Sequence, residues 1–370
     1  MSSHAPGAYV GVMSGTSLDA VDAVLLRFEP TGRAHVVDGA SRELPTPLRS
    51  ELLALNQPGS DELGRAALAS LELAQLYAGA VHDVLQRAQV QASDIAAIGV
   101  HGQTVRHRPD LGYTIQLNAP ARIAELTGID VIADFRSRDI AAGGQGAPLV
   151  PAFHAAQFGT GDARVVLNLG GIANITILDA DGGIRGFDTG PANMLMDAWI
   201  QRHLGHAYDA DGAWAETGRP VTDLLEHLLA DRWFTSPPPK STGRDDFSLA
   251  WLDKQLGTYP GPRPADADIQ ATLLQLTAIS VANEVRRHAP DTKDVLVCGG
   301  GARNRALMSA LEAALPCVVD TTDAHGLPTQ WVEAAAFAWL AWCYDARQPA
   351  GLPAVTAASR PTILGCKYLA

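Results

Sequence analysis

Residues 9–26, YVGVMSGTSLDAVDAVLL, read as two apolar runs around the polar turn SGTSLD. Runs of this length rich in Val and Leu, broken by a glycine turn, mark a pair of strands. A plain hairpin turn needs Gly, Asn or Asp for its backbone angles, but not two small hydroxyl residues and an acid beside the glycine. A loop that wraps a phosphate does need that density of small donors. The turn alone leaves both readings open.

The layout recurs. ARVVLNLGGIANITILDA, residues 163–180, is again strand, glycine turn, strand. Between the two hairpins lie helix-spaced apolar stretches and the short strands IAAIGVHG, TIQL and IDVIADF. Strands alternating with helices indicate an α/β sheet. After the second hairpin come helices from Pro191 and a loop-rich region over residues 234–268, containing SPPPKSTGRDD and YPGPRPADAD. A loop that long inside a compact domain suggests a surface or lid role. A long helix, IQATLLQLTAISVANEVRRHA, leads to the strand and turn DVLVCGGG, and TQWVEAAAFAWLAWCYDAR reads as the last helix. The expected fold is α/β in two domains, 1–158 and 159–345, with residues 346–370 packing back on the first.

Composition narrows the function. The chain has 370 residues, 47% hydrophobic and 18% charged, which fits a globular protein and not a disordered one. A net charge of −12 argues against nucleic-acid or anionic-membrane partners. Cys298, Cys317, Cys343 and Cys366 form no CxxC pair, so neither a zinc site nor a disulfide framework is expected. The apolar run AAAFAWLAWCY is too short to span a bilayer, and MSSHAPGAY lacks the plan of a secretory leader. A soluble, cytoplasmic protein is the expectation.

A Walker loop is absent, and CGGGARN, residues 298–304, is not the GxGxxG of a dinucleotide fold. Two glycine-turn hairpins and a late strand–GGG–helix instead resemble the superfamily of actin, sugar kinases and heat-shock ATPases. GVMSGTSLDAVD, HGQTVRH, IADFRSRDIAAGGQGAPLVPAFH, NLGGIANIT, GFDTGPANMLMDAW and CGGGARN, in that order, resemble the motif set of the anhydro-N-acetylmuramic acid kinases. The resemblance implies a kinase that binds ATP and Mg²⁺ in an interdomain cleft and acts as a homodimer. It also implies hydrolytic opening of a 1,6-anhydro sugar coupled to phosphorylation, within peptidoglycan recycling. A non-kinase ATPase of the same superfamily is the alternative; HGQT and DFRSRD would have no evident purpose in it.

Asp188, in GFDTGP, is read as following a short strand and preceding a glycine turn; on that resemblance it is the general base, although an Asx turn or helix cap would also suit its position. The first phosphate loop is Gly15, Thr16, Ser17, Leu18, Asp19, Ala20, Val21 and Asp22, with Asp19 reaching Mg²⁺ through water. Asn168, Gly170, Gly171 and Asn174 form the second. Gly299, Gly300, Gly301 and Asn304 line the adenosine, unless the glycines serve close helix–strand packing. Gln103 and Thr104 face the sugar, with His101 read as a core histidine. Asp134, Arg136 and Arg138 bind the substrate, an arginine fork meeting its lactyl carboxylate; a surface Arg–Asp network would claim the same residues, Asp139 among them. Glu333 is a further catalytic candidate, beside a bland role at a helix start. Residues 240–245 read as a mobile site loop or a solvated turn. The family usually has Gly where this chain has Ala20 and Ala192, a departure that costs stability if either needs positive φ.

Overall fold

The computed structural model of the chain describes residues 7–15, 18–243 and 246–370; Thr16, Ser17, Arg244 and Asp245 of the expected loops lie outside them. Contacts group the chain into two units, residues 1–158 with 331–370, and 159–330.

In the first unit β1 (Ala8–Ser14) and β2 (Ala20–Phe28) form the opening antiparallel hairpin, and β3 (Ala34–Glu43) extends it. Leu18 takes φ 57° and tucks its side chain into the core, its N–H bonded to the Gly15 carbonyl at 3.1 Å. Ala20 is an ordinary strand residue, so the missing glycine costs nothing there. The helix Glu62–Ala88 buries Leu73, Tyr77, Val81 and Val84 at helical spacing against this sheet. β4 (Ile95–Val100) runs parallel to β1. β5 (Gln103–Arg108) and β6 (Tyr113–Leu117) form a separate ribbon, and β7 (Val131–Ala133) joins the main sheet beside β4.

The second unit repeats the plan. β8 (Arg164–Leu169) and β9 (Ile172–Leu178) are the second hairpin, and β10 (Ile184–Pro191) pairs antiparallel with β9. β11 (Asp294–Cys298) and β12 (Val318–Thr321) add in parallel, giving the order β10-β9-β8-β11-β12. β8 and β11 are buried along their length, which fits strands as apolar as VVLNL and DVLVC, while the helix Asp266–His288 packs on β9 and β10. Residues 234–268 are no structureless loop: they contain the helix Leu249–Thr258, and Phe247 is buried among Trp233, Phe234 and Trp251. Aromatic burial holds this region down, which the Pro and Gly content concealed.

The helix Val332–Asp345 lies in the first unit, not at the end of the second as the sequence reading had it. It packs on β1 and β4 so closely that a Cβ on Gly11 or Gly99 would overlap the Ala334 or Phe337 carbonyl. That contact, between glycines and a helix over 200 residues away, leaves no local trace in sequence. β13 (Cys366–Tyr368) then closes the sheet as β13-β7-β4-β1-β2-β3. No helix among the described residues is long and apolar enough to cross a membrane.

Candidate active site

In the second unit the strand register assembles a polar row. Asp188 pairs with Asn174, Asn174 with Asn168, and Asn168 with Cys298 across four adjacent strands. Directly paired residues present their side chains to one face of a sheet, so sequence positions 130 residues apart are brought together. Asp188 does not follow a strand, as its sequence suggested; it lies inside β10, where the register with β9 shifts between Asp188 and Gly190. Bulges of this kind re-aim side chains and gather at functional sites. Gly190, at φ 142°, supplies the backbone freedom.

The Asp188 carboxylate is largely buried, and burial pushes its pKa up to about 6 against the opposing pull of the Thr242 N–H and the Lys240 charge. Thr242 N–H donates to Oδ2 at 2.9 Å, and Asp188's own N–H donates to the Lys240 carbonyl at 3.1 Å. Lys240 and Thr242, within the stretch expected to be a mobile loop or a solvated turn, are therefore tied to β10, and the Lys240 side chain is only 5% exposed.

The Gly170–Gly171 turn is tied to the start of the helix Asn193–Leu204: the Ala192 and Met194 N–H groups donate to the Gly171 carbonyl and that of Asn193 to Gly170. Ala192 has φ −110°, so no glycine is required. A Cβ on Gly170 or Gly171 would meet nothing closer than 3.6 Å, and on Gly300 nothing closer than 3.9 Å. These three glycines present open backbone. Gly299 and Gly301 do not: a side chain there would run into Asn168 or Leu169. Asn304 caps the helix Arg305–Ala314, its Oδ1 accepting the Leu307 N–H at 3.0 Å.

In the first unit the pieces of HGQT and DFRSRD meet. His101 is buried, stacked on Phe337, and its Nε2 accepts from both Nε and Nη2 of Arg136 at 3.1 and 2.9 Å. Burial, then the Arg136 charge, holds its pKa well below 6.5 and keeps it a neutral acceptor. Arg136 gives Nη1 to the Gly146 carbonyl at 2.7 Å. Burial lowers its pKa to about 10, opposed by the charges of Glu333 and Asp139. Glu333 thus bears on Arg136 within the same unit. Arg138 and Asp134 are exposed, Asp134 at φ 58°. Asp139, fully buried, accepts from Gly146 N–H and Thr356 Oγ1 at 2.7 and 2.8 Å, which makes it a staple for the glycine-rich loop.

Gln103 is 3% exposed, and its Oε1 lacks a partner among the described residues; so do both amide atoms of Asn118, two residues before the helix Pro120–Thr127. Leu117, beside Asn118, pairs with Gln103 in the ribbon. Buried amides are rarely left unpaired without reason. Asn118 had no motif to mark it; its signal is a polar residue at a strand–helix junction opposite HGQT. Thr104 accepts from Gln116 at 3.2 Å. Asp19 is exposed and pairs with Arg49 at 3.1 Å. Asp22 accepts from Ser41, and Val21 is core.

An α/β protein of two units, each opened by a glycine-turn hairpin and one holding a buried carboxylate at a strand bulge, is the class that fold and site define. The sequence model of the family described as anhydro-N-acetylmuramic acid kinase matches residues 7–370. An anhydro-N-acetylmuramic acid kinase of Bordetella petrii is 59% identical over 361 residues, 97% of this chain and 96% of that one. One of Burkholderia orbicola is 56% identical over 372 residues, 98% and 97% of the two chains. Among solved structures, the activator of 2-hydroxyisocaproyl-CoA dehydratase from Clostridium difficile aligns with TM-score 0.48 and 13% identity over 92% of this chain and 96% of that one. The chain belongs to the anhydro-N-acetylmuramic acid kinase family and is an enzyme of the sugar-kinase class.

Proposed function

We propose that the protein transfers the γ-phosphoryl group of ATP to O6 of 1,6-anhydro-N-acetylmuramic acid while water opens the anhydro bridge, giving N-acetylmuramic acid 6-phosphate and ADP. The substrate has no free 6-hydroxyl, so the C1–O6 bond must break as water adds at C1 and O6 accepts phosphorus. Asp188 is the base that takes the proton from water. What supports this is one observation: a carboxylate fixed at a strand bulge, with its pKa pushed up to about 6. A base works best with a pKa near the working pH.

The open backbones of Gly170, Gly171 and Gly300 fit a bound nucleotide, since nothing prevents close approach of phosphate or nucleoside. The turn of Gly15 and Leu18–Asp22, with Thr16 and Ser17, is assigned as the first phosphate loop, Asn168 and Asn174 flank the glycines of the second, and Gly299, Gly301 and Asn304 shape the wall behind Gly300. Among the described residues no group of three or more His, Cys, Asp or Glu could hold a metal. Mg²⁺ would be carried by the nucleotide, with Asp19 near it through water, and would offset charge on the phosphates. Gln103 and Thr104 are assigned to the sugar, and Gln103's unpaired amide oxygen supports that. Arg136, preset by His101 and Glu333, is the better candidate for the lactyl carboxylate; exposed Arg138 and Asp134 lie at the margin of the same segment. A homodimer working in the cytoplasm completes the reading.

The test is incubation with Mg-ATP and the anhydro sugar in ¹⁸O-labelled water, followed by mass spectrometry. Gain of a phosphoryl group plus one labelled oxygen supports the reading. ATP hydrolysis with the sugar unchanged would overturn it in favour of a plain ATPase.

A further inference from the structure

The Lys240 side chain is 5% exposed and that of Glu284 3%. Burying an ammonium and a carboxylate is costly unless each is paired. Lys240 Nζ lies 3.3 Å from Glu284 Oε1 and 3.3 Å from the Phe234 carbonyl, and 4.5 Å over the Trp233 ring. Glu284, on the helix Asp266–His288, is also met by Arg287 Nη1 at 2.9 Å and His288 Nε2 at 3.3 Å. The backbone of this same lysine accepts the Asp188 N–H, and two residues on Thr242 donates to the Asp188 carboxylate. Lys240 is thus anchored by its side chain at one end and laid along β10 by its backbone at the other.

The same helix grips the far side of the bulge. Thr277 Oγ1 donates to the Pro191 carbonyl at 3.0 Å, and Ser280 Oγ lies 3.3 Å from where a Cβ on Gly190 would stand, with Phe234 closer still. One helix therefore controls both the strand that carries Asp188 and the segment that bonds its carboxylate. A surface turn needs no buried lysine, and a purely apolar anchor would avoid the desolvation.

We infer that Lys240, clamped by Glu284, is a positioning residue for Asp188, holding residues 240–242 so that the Thr242 N–H fixes the carboxylate toward the reacting water. The inference rests on Asp188 being the base. The charged groups that bear on the carboxylate and its clamp are Lys240 from the segment and Glu284, Arg287 and His288 from the helix. The Thr242 donor and the Lys240 charge both favour the ionised form of Asp188, so removing the Lys240 side chain, which frees the donor and takes away that cation, raises the pKa of the carboxylate.

Lys240→Met and the isosteric Glu284→Gln test this, each made in the wild type and in Asp188→Asn, with kcat and KM measured from about pH 5 to about pH 9. The expected result is a kcat loss of about tenfold or more with a sugar KM within about twofold in both variants, and, in Lys240→Met, which also removes the cation, an acidic limb of kcat moved to higher pH. In Asp188→Asn neither change slows the residual single-turnover rate further, because the effect passes through that carboxylate. If Lys240→Met does not fold by circular dichroism, Glu284→Gln decides. An unmoved acidic limb in Lys240→Met, or, for either variant, equal losses in both backgrounds, overturns the inference by reducing the clamp to general structure. Full turnover by Asp188→Asn alone would instead sink the base assignment, a separate and visible failure.

Discussion

Asp188→Asn has two opposed consequences, and both follow from one buried carboxylate. Folding raises its pKa from 3.8 to about 6. Two units at about 1.4 kcal/mol each put the cost of holding the ionised form at up to ~3 kcal/mol. Above about pH 6 the group is ionised in folded and unfolded chains alike, so the whole cost is present. As pH falls from about 6 to about 4, the folded state takes up a proton that the unfolded state does not, and the cost shrinks; below about 4 it is gone. Asparagine is neutral, has the same shape and keeps an oxygen for the Thr242 N–H. The variant is therefore expected to be more stable at neutral pH by up to ~3 kcal/mol, on the order of 5 °C in Tm, with the gain fading toward pH ~4. It is expected to lose a factor of about 10² to 10⁴ in kcat, the contribution of a positioned base. Thermal melts at matched pH, beside the labelled-water assay, measure both. A variant less stable than the parent at neutral pH, or a difference that ignores pH, would refute the account of Asp188 as a group held ionised at a folding cost.

In the parent enzyme kcat should fall as pH drops through about 6, the pKa of Asp188, and a pH–rate profile at saturating substrates shows it. Gly299→Ala forces a side chain into φ 83° against Asn168 and should cost about 1–3 kcal/mol by denaturant melt, whereas Gly300→Ala should leave stability within about 0.5 kcal/mol and instead raise the KM for ATP. Asp139→Ala strips the Gly146 N–H of its side-chain acceptor and the Thr356 hydroxyl of the shorter of its two bonds, leaving only the Leu352 carbonyl, and should destabilise by about 1–3 kcal/mol, read as a lowered denaturation midpoint.

What the sequence made legible was periodic or local. Each strand–glycine–strand hairpin lies within a residue or two of its reading, because alternation of apolar and small residues over a short window decides it. Asp188 stood out for its place between a strand and a glycine, but the bulge that aims it depends on register with β9. The arginine fork was legible as a residue type; that Arg136 turns inward onto His101 while Arg138 stays in solvent depends on a partner 35 residues away. Lys240 and Glu284, 44 residues apart, look in sequence like a solvated turn and a helix-surface acid. Gly299, Gly300 and Gly301 are adjacent, yet only the first and last are hemmed in, and nothing in three identical letters distinguishes them.

The helix Val332–Asp345 covers β1 and β4, the central strands of a sheet whose other members, β13 aside, come from the first 158 residues. During synthesis those strands leave the ribosome long before their cover, and Gly11 and Gly99 offer them no side chains to pack in the meantime. Residues 159–330, a continuous stretch, have all their parts first. The order of completion is thus the reverse of the order of appearance: the unit begun first is finished after the second, and waits on nascent-chain length with five of its sheet's six strands made and their central pair uncovered.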